Sequence, residues 1–142
     1  MPHAQHTVTI NLPVETVFAY VLDGETARNW RPGVLDIERV SGDGAGVIYR
    51  QGVKGPMGRR IDADYTITIV EPNQVIEFQA IAGPARPRGR YEFEPRDGAT
   101  RVTFTLDAEL SPLRALVLGP MVAKTMDAEV HNLDRLKQVL ED

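Results

Sequence analysis

Few side chains in this 142-residue sequence are placed to do chemistry, and three kinds stand out. The first is a carboxylate, Glu129, in a C-terminal segment whose apolar residues recur at helical spacing. At about 100° per residue, Val122, Met126, Leu133, Leu136 and Leu140 fall on one narrow stripe, and Glu129 projects close to its middle. Lys124, Asp127, His131, Asp134, Arg135 and Gln138 fall opposite. A carboxylate on such a stripe is paired, protonated or in contact with enclosed water or ligand. The alternative is a stripe that is not fully buried, with Glu129 at its rim.

The second kind is tyrosine. Tyr49, Tyr65 and Tyr91 occupy strand positions that can point inward. A phenol facing a cavity can hydrogen-bond or protonate an enolate oxygen, whereas an ordinary strand tyrosine sends its hydroxyl to a protein partner. The third kind is a cluster of bases. Lys54, Arg59 and Arg60 flank a turn at 55–58, and Arg86, Arg88 and Arg90 flank another at 83–87. Alternate turns of a meander share one end, so these cations gather there. They form either a rim that attracts an anionic headgroup or two solvated, salt-screened loops.

Other chemistries fall away. There is no cysteine, which removes disulfides, thiol nucleophiles and zinc–thiolate sites together. Serine occurs only at 41 and 111, in turn and cap positions, and no Ser-His-Asp arrangement is visible. His3 and His6 sit near the N-terminus, His131 points to solvent, and no histidine pair has ligand spacing. No metal and no cofactor are expected. Gly42, Gly44 and Gly46 lie between antiparallel strands and lead into no helix, so they read as a hairpin turn and not as a phosphate cradle.

Twenty acids against sixteen bases give a formal charge of −4, which argues against nucleic acid or anionic lipid as a partner. The longest uncharged apolar stretch, 115–123, is broken by Gly119-Pro120 and falls far short of the ~20 residues needed to span a bilayer. The start of the chain has no basic segment followed by an apolar run, so a cytoplasmic protein is expected.

The elements that position these groups follow from periodicity and turn signals. Residues 6–11 read as a strand, 13–22 as a short amphipathic helix opened by Pro13, and 23–30 as a second short helix capped by Asp23 and ended by Arg31-Pro32-Gly33. Strands follow at 34–41, 46–54, 59–71, 74–82, 88–95 and 100–110, joined by short Gly/Pro turns that permit only antiparallel neighbours. One face collects Ile61, Ala63, Tyr65, Ile67 and Ile69, then Ile76 and Phe78, Tyr91 and Phe93, and Val102, Phe104 and Leu106. A helix starts at Ser111-Pro112, is interrupted at Gly119-Pro120, and resumes to about Leu140, long enough to cross a sheet. The expectation is one α+β domain: a seven-stranded curved antiparallel sheet, two short helices and a long C-terminal helix across the concave face.

This order resembles the START-like (SRPBCC, helix-grip) superfamily, and within it the polyketide cyclase/dehydratase-type group. The residues carrying the resemblance are Ile10-Asn11-Leu12-Pro13-Val14-Glu15-Thr16-Val17-Phe18, Ala27-Arg28-Asn29-Trp30-Arg31-Pro32-Gly33, and Leu118-Gly119-Pro120 before the amphipathic helix. The resemblance implies a cavity between sheet and helix holding a hydrophobic or amphipathic small molecule such as a polyketide, lipid or sterol. It also implies a bulky wall residue at Trp30 and a mouth at the basic end. The expected lining is Trp30, Tyr49, Tyr65, Phe78, Tyr91, Phe93, Met126, Glu129 and Leu133, and the expected rim Arg59, Arg60, Arg86 and Arg88. The function expected is binding or carriage of that molecule. The alternative is a cyclase or dehydratase using Glu129 and an interior tyrosine as acid and base. The Gly119-Pro120 interruption would let the preceding short helix act as a movable flap.

Overall fold

The computed structural model describes residues 3–83 and 85–142, and of Pro56 the backbone alone. The chain opens with β1 (His3–Ile10) and α1 (Val14–Leu22), followed by a 3-10 helix at Gly24–Asn29. Six strands come next: β2 (Val34–Ser41), β3 (Ile48–Lys54), β4 (Arg60–Asp62), β5 (Tyr65–Glu71), β6 (Val75–Ala80) and β7 (Arg88–Arg96). After β8 (Ala99–Asp107), α2 (Pro112–Val130) and α3 (Leu133–Glu141) close the fold. The antiparallel sheet runs in the order β1-β8-β7-β6-β5-β3-β2, with the three-residue β4 paired to β3 off that path. The first strand thus lies beside the last, with Val8 opposite Val102.

The core follows from alternation. Ile10, Val17, Val102, Phe104, Val130, Leu133 and Leu136 are sealed from solvent. α1 contributes Phe18, whose ring meets Phe93 edge-on at 5.0 Å. Among the described residues no helix is long and apolar enough to cross a membrane, and no cluster of three or more His, Cys, Asp or Glu side chains suits a metal ion.

Three local expectations are corrected. The strand read at 59–71 is two strands, because the chain breaks at Ala63-Asp64: the Asp64 carboxylate accepts from the Gln51 N–H at 3.0 Å, while the Ala63 N–H donates to the Gln51 carbonyl at 2.8 Å. A side chain there takes a ladder position that backbone would fill. Next, the pairing of β5 with β6 shifts register between Ile67 and Ile69. Ile67 stays buried, Ile69 turns outward, and Val70 packs on the core instead, because a bulge reverses the alternation beyond it.

The third correction concerns the long helix. Pro120 is accommodated inside α2, and the break falls at His131-Asn132. Pro120 lies on an exposed face, while the bend lets Met126 and Val130 before it, and Leu133 and Leu136 after it, all reach the core. The N-terminal histidines are also fixed: the His6 ring stacks on His131 at 4.1 Å, and its Nε2 bonds Asp134 at 2.9 Å.

Candidate ligand cavity

α2 buries only Met126 and Val130, both in its last two turns. Its first turns stand off the sheet, leaving Leu113, Leu116 and Val117 exposed. Beneath them lies a cavity of about 620 Å³. The sheet supplies Ile67, Ile76, Phe78, Ala80, Phe104 and Leu106 to its wall, and α2 supplies Met121, Val122 and Met126. Small side chains at Ala63, Ala80, Ala82 and Ala85 keep the space open. Lys54, Asp62, Met121 and Thr125 both line it and reach the surface, marking an opening between the 55–61 and 82–87 loops and α2. Asp23 does the same beside the 3-10 helix.

Away from its openings, the charged groups of the wall gather at one centre built on Arg31. The 3-10 helix places this residue: Asp23 caps it by accepting from the Glu25 N–H at 3.2 Å, and the Arg31 N–H donates back to Ala27 at 2.8 Å. The turn that follows is tied to β3 by the Lys54 N–H, which donates to the Gly33 carbonyl at 2.8 Å. The guanidinium then reaches into the cavity wall. Its Nε donates to Glu129 Oε1 and its Nη1 to Gln51 Oε1 at 2.9 Å. Gln51, itself buried, uses its Nε2 on the Ala63 carbonyl at 3.0 Å. Glu129 is therefore the paired carboxylate among the alternatives its helical position left open.

Burial works against the charge of Arg31, but the Glu129 carboxylate and the hydrogen bond to it, with smaller contributions from Tyr91 and Tyr65, together outweigh it, and the guanidinium is held more firmly protonated than usual. Tyr65 and Tyr91 line the same cavity. Burial pushes both phenols well above the ordinary range, against an opposing pull from Arg31. Both remain neutral donors at physiological pH. Trp30 is 3% exposed, and its indole N–H is buried with no hydrogen-bond partner among the described residues.

Of the residues expected as lining, Trp30, Tyr65, Phe78, Tyr91, Met126 and Glu129 come together on the wall. Tyr49, Phe93 and Leu133 are buried behind it. Tyr49 stacks on Tyr65 at 5.2 Å and accepts from the Gly24 N–H at 3.1 Å, Phe93 packs on Phe18, and Leu133 is sealed in the core. None of the expected rim arginines lines the cavity. Arg60 lies across Gly52 on the other face of the sheet, with Nη2 and Nε on the two Asp36 oxygens at 2.8 and 2.9 Å and a further bond to Asp62. Arg86 bonds the Gly83 carbonyl at 3.3 Å, and Arg59 and Arg88 are exposed. From that cluster, Lys54 is the cation on the wall.

Arg31 and Gln51 are the residues that sequence reasoning passed over. A carboxylate on an apolar stripe asks for a cation on a facing element, and Arg31 follows Trp30, already placed on the wall. Gln51 lies two residues from Tyr49 and so shares its inward face.

The sequence profile of the family described as polyketide cyclase / dehydrase and lipid transport matches residues 1–141. The chain belongs to this family. Solved structures carry the same fold. A protein from Thermus thermophilus, 26% identical, superposes with a TM-score of 0.82 over 96% of this chain and 95% of its own. A START superfamily protein from Mycobacterium smegmatis, 22% identical, gives 0.81 over 98% and 97%. The Zhui aromatase/cyclase from a Streptomyces species, 20% identical, gives 0.72 over 96% and 88%. No curated protein sequence matches the chain. The likeness and the geometry agree on the START-like fold, and the apolar cavity is seen in the geometry of this chain.

Proposed function

We propose that the chain binds or carries one hydrophobic or amphipathic small molecule, of polyketide, lipid or sterol-like kind, in the cytoplasm. The unfilled cavity of about 620 Å³ carries this reading. Its volume suits a small-molecule site, and its wall has the usual character of one: mostly apolar, with a few converging polar groups. Those polar groups favour binding over catalysis. A cyclase or dehydratase needs a base, yet Glu129 is engaged by Arg31, and the phenols of Tyr65 and Tyr91 hold their protons. They act as hydrogen-bond donors to a guest.

N-phenyl-1-naphthylamine, a neutral dye that brightens in apolar surroundings, tests the reading directly. The purified chain is expected to take up one dye per molecule, saturably. Ala80→Phe, which adds a ring to the cavity wall, is expected to weaken uptake by at least about tenfold while the far-ultraviolet circular dichroism stays unchanged. Native mass spectrometry of protein from its own host supplies a second readout, a retained compound. A chain that leaves the dye dark and emerges bare would end the proposal.

A further inference from the structure

Every donor nitrogen of the Arg31–Glu129–Gln51 centre can be followed to a partner except one. Arg31 Nε is taken by Glu129, Arg31 Nη1 by Gln51 and Gln51 Nε2 by Ala63, while Arg31 Nη2 has no partner among the described residues. One residue earlier, Trp30 also lines the wall, but its unmatched indole N–H is sealed from solvent and is not offered to a guest. Arg31 Nη2 is not among the nitrogens sealed from solvent, so it stands open to a guest. A guest that supplies an acceptor oxygen gives it a hydrogen bond in a low-dielectric wall.

The charge balance decides what kind of oxygen fits. Arg31 is already neutralised by Glu129, so the centre offers donors without a net positive charge. A guest carboxylate would meet Arg31 only by coming close to Glu129, and like charges brought together in a desolvated site repel strongly. A ketone, ester or hydroxyl oxygen accepts the same N–H bonds and carries no charge to repel. Most of the cations that would offset a second negative charge lie elsewhere: Arg60 is held by Asp36 and Asp62, and Arg59, Arg86 and Arg88 do not line the cavity. Lys54, at the opening, is the cationic lining residue besides Arg31.

We infer that the cavity selects neutral amphipaths bearing a carbonyl or hydroxyl oxygen and discriminates against carboxylates, with Glu129 as the residue that sets the selectivity. This rests on the binding reading above and names its ligand class. Glu129 acts by occupying Arg31 and by repelling a second anion; the apolar body of the guest lies along Phe78, Ala80 and Met121.

A matched pair of competitors reads this out. 2-Acetonaphthone and 2-naphthoate share one ring system and differ in ketone against carboxylate. Each is used to displace N-phenyl-1-naphthylamine at pH 8. On the wild type, acetonaphthone is expected to compete at least about tenfold more strongly than naphthoate. Glu129→Gln keeps the shape and one acceptor oxygen for Arg31 while removing the charge. It is expected to strengthen naphthoate relative to acetonaphthone by about tenfold or more. Equal displacement by the two competitors on the wild type, or an unchanged ratio in a folded Glu129→Gln protein, overturns the selectivity and leaves the cavity standing. A wild type that never takes up the dye removes both. The wild-type ratio needs no variant, so a misfolded substitution cannot shelter the inference.

Discussion

Arg31 Nε donates to Glu129 Oε1 across 98 positions of chain, joining the segment just after the 3-10 helix to the last turn of α2. Both side chains are largely withdrawn from solvent, at 14% and 24% exposure. The pair therefore has a structural consequence as well as a chemical one: it fastens the helix to the wall at the point where the cavity ends and solid core begins.

Removing one partner alone should be costly. Arg31→Met leaves the Glu129 carboxylate and the Gln51 amide oxygen without their donor, and is expected to lower stability by about 1–3 kcal/mol in urea unfolding. Replacing both partners, with Arg31→Met and Glu129→Met together, should cost clearly less than the sum of the two single changes, since no charge is then stranded. Strict additivity in that cycle would mean the two side chains do not depend on each other.

Gly89 should tolerate no side chain. A Cβ there would stand 2.1 Å from two atoms of the Phe78 ring, which lies across the glycine. Gly89→Ala must push that ring toward the cavity it lines. The expected result is a loss of about 1–3 kcal/mol and weaker uptake of N-phenyl-1-naphthylamine. A compensating Phe78→Leu on the same background should recover much of the stability. Wild-type stability in the single variant would contradict the packing.

Alkaline pH should unfold the protein through its buried phenols. Tyr65 and Tyr91 keep their protons in the fold well past the ordinary value near 10, whereas the unfolded chain releases them there. Above pH 10 the folded state thus binds more protons than the unfolded one, and stability falls as pH rises. The contribution is fully present below pH 10 and is lost as pH climbs toward the folded values. Each phenol adds about 1.4 kcal/mol per pH unit to the slope. Tyr91→Phe should flatten the alkaline limb of a stability–pH curve by that amount. An identical limb in the variant would show that this hydroxyl is not protected.

The sequence made the architecture legible because the fold is written in periodicities. Alternation in β7 and β8 put Tyr91, Phe93, Val102, Phe104 and Leu106 on one face, and the helical stripe put Met126, Leu133 and Leu136 on another; all are buried. It failed wherever a side chain replaced backbone in a regular ladder. Asp64 breaks β4 from β5 by bonding the Gln51 N–H, and the bulge after Ile67 turns Ile69 outward; neither event leaves a trace in hydrophobic pattern. At the site, the wheel found Glu129 but could not find its partner. A salt bridge between the segment after the 3-10 helix and α2 is a fact about three dimensions. The basic cluster misled for a related reason: residues sharing one end of a meander need not share one face, and Arg60 turns to Asp36 on the far side.

The remaining prediction concerns the part of α2 that covers the cavity without packing on it. Gly119 and Pro120 do not end the helix, yet both weaken it: Pro120 has no N–H to give the Leu116 carbonyl, and glycine in a helix interior leaves the unfolded chain freer than alanine would. A Cβ at Gly119 would find no heavy atom within 4 Å. Gly119→Ala therefore changes backbone freedom without a clash, and is expected to stabilise the protein by about 0.5–1 kcal/mol. Hydrogen exchange should slow across 112–121 and change little across 122–130, where Met126 and Val130 already anchor the helix. If guests enter by local opening of this stretch, dye uptake in a stopped-flow mixer should slow in step with exchange while equilibrium affinity stays near the wild-type value. Slower exchange with unchanged uptake would place the entrance elsewhere, between the 55–61 and 82–87 loops. Unchanged exchange would show that the first turns of α2 are held by more than their own backbone.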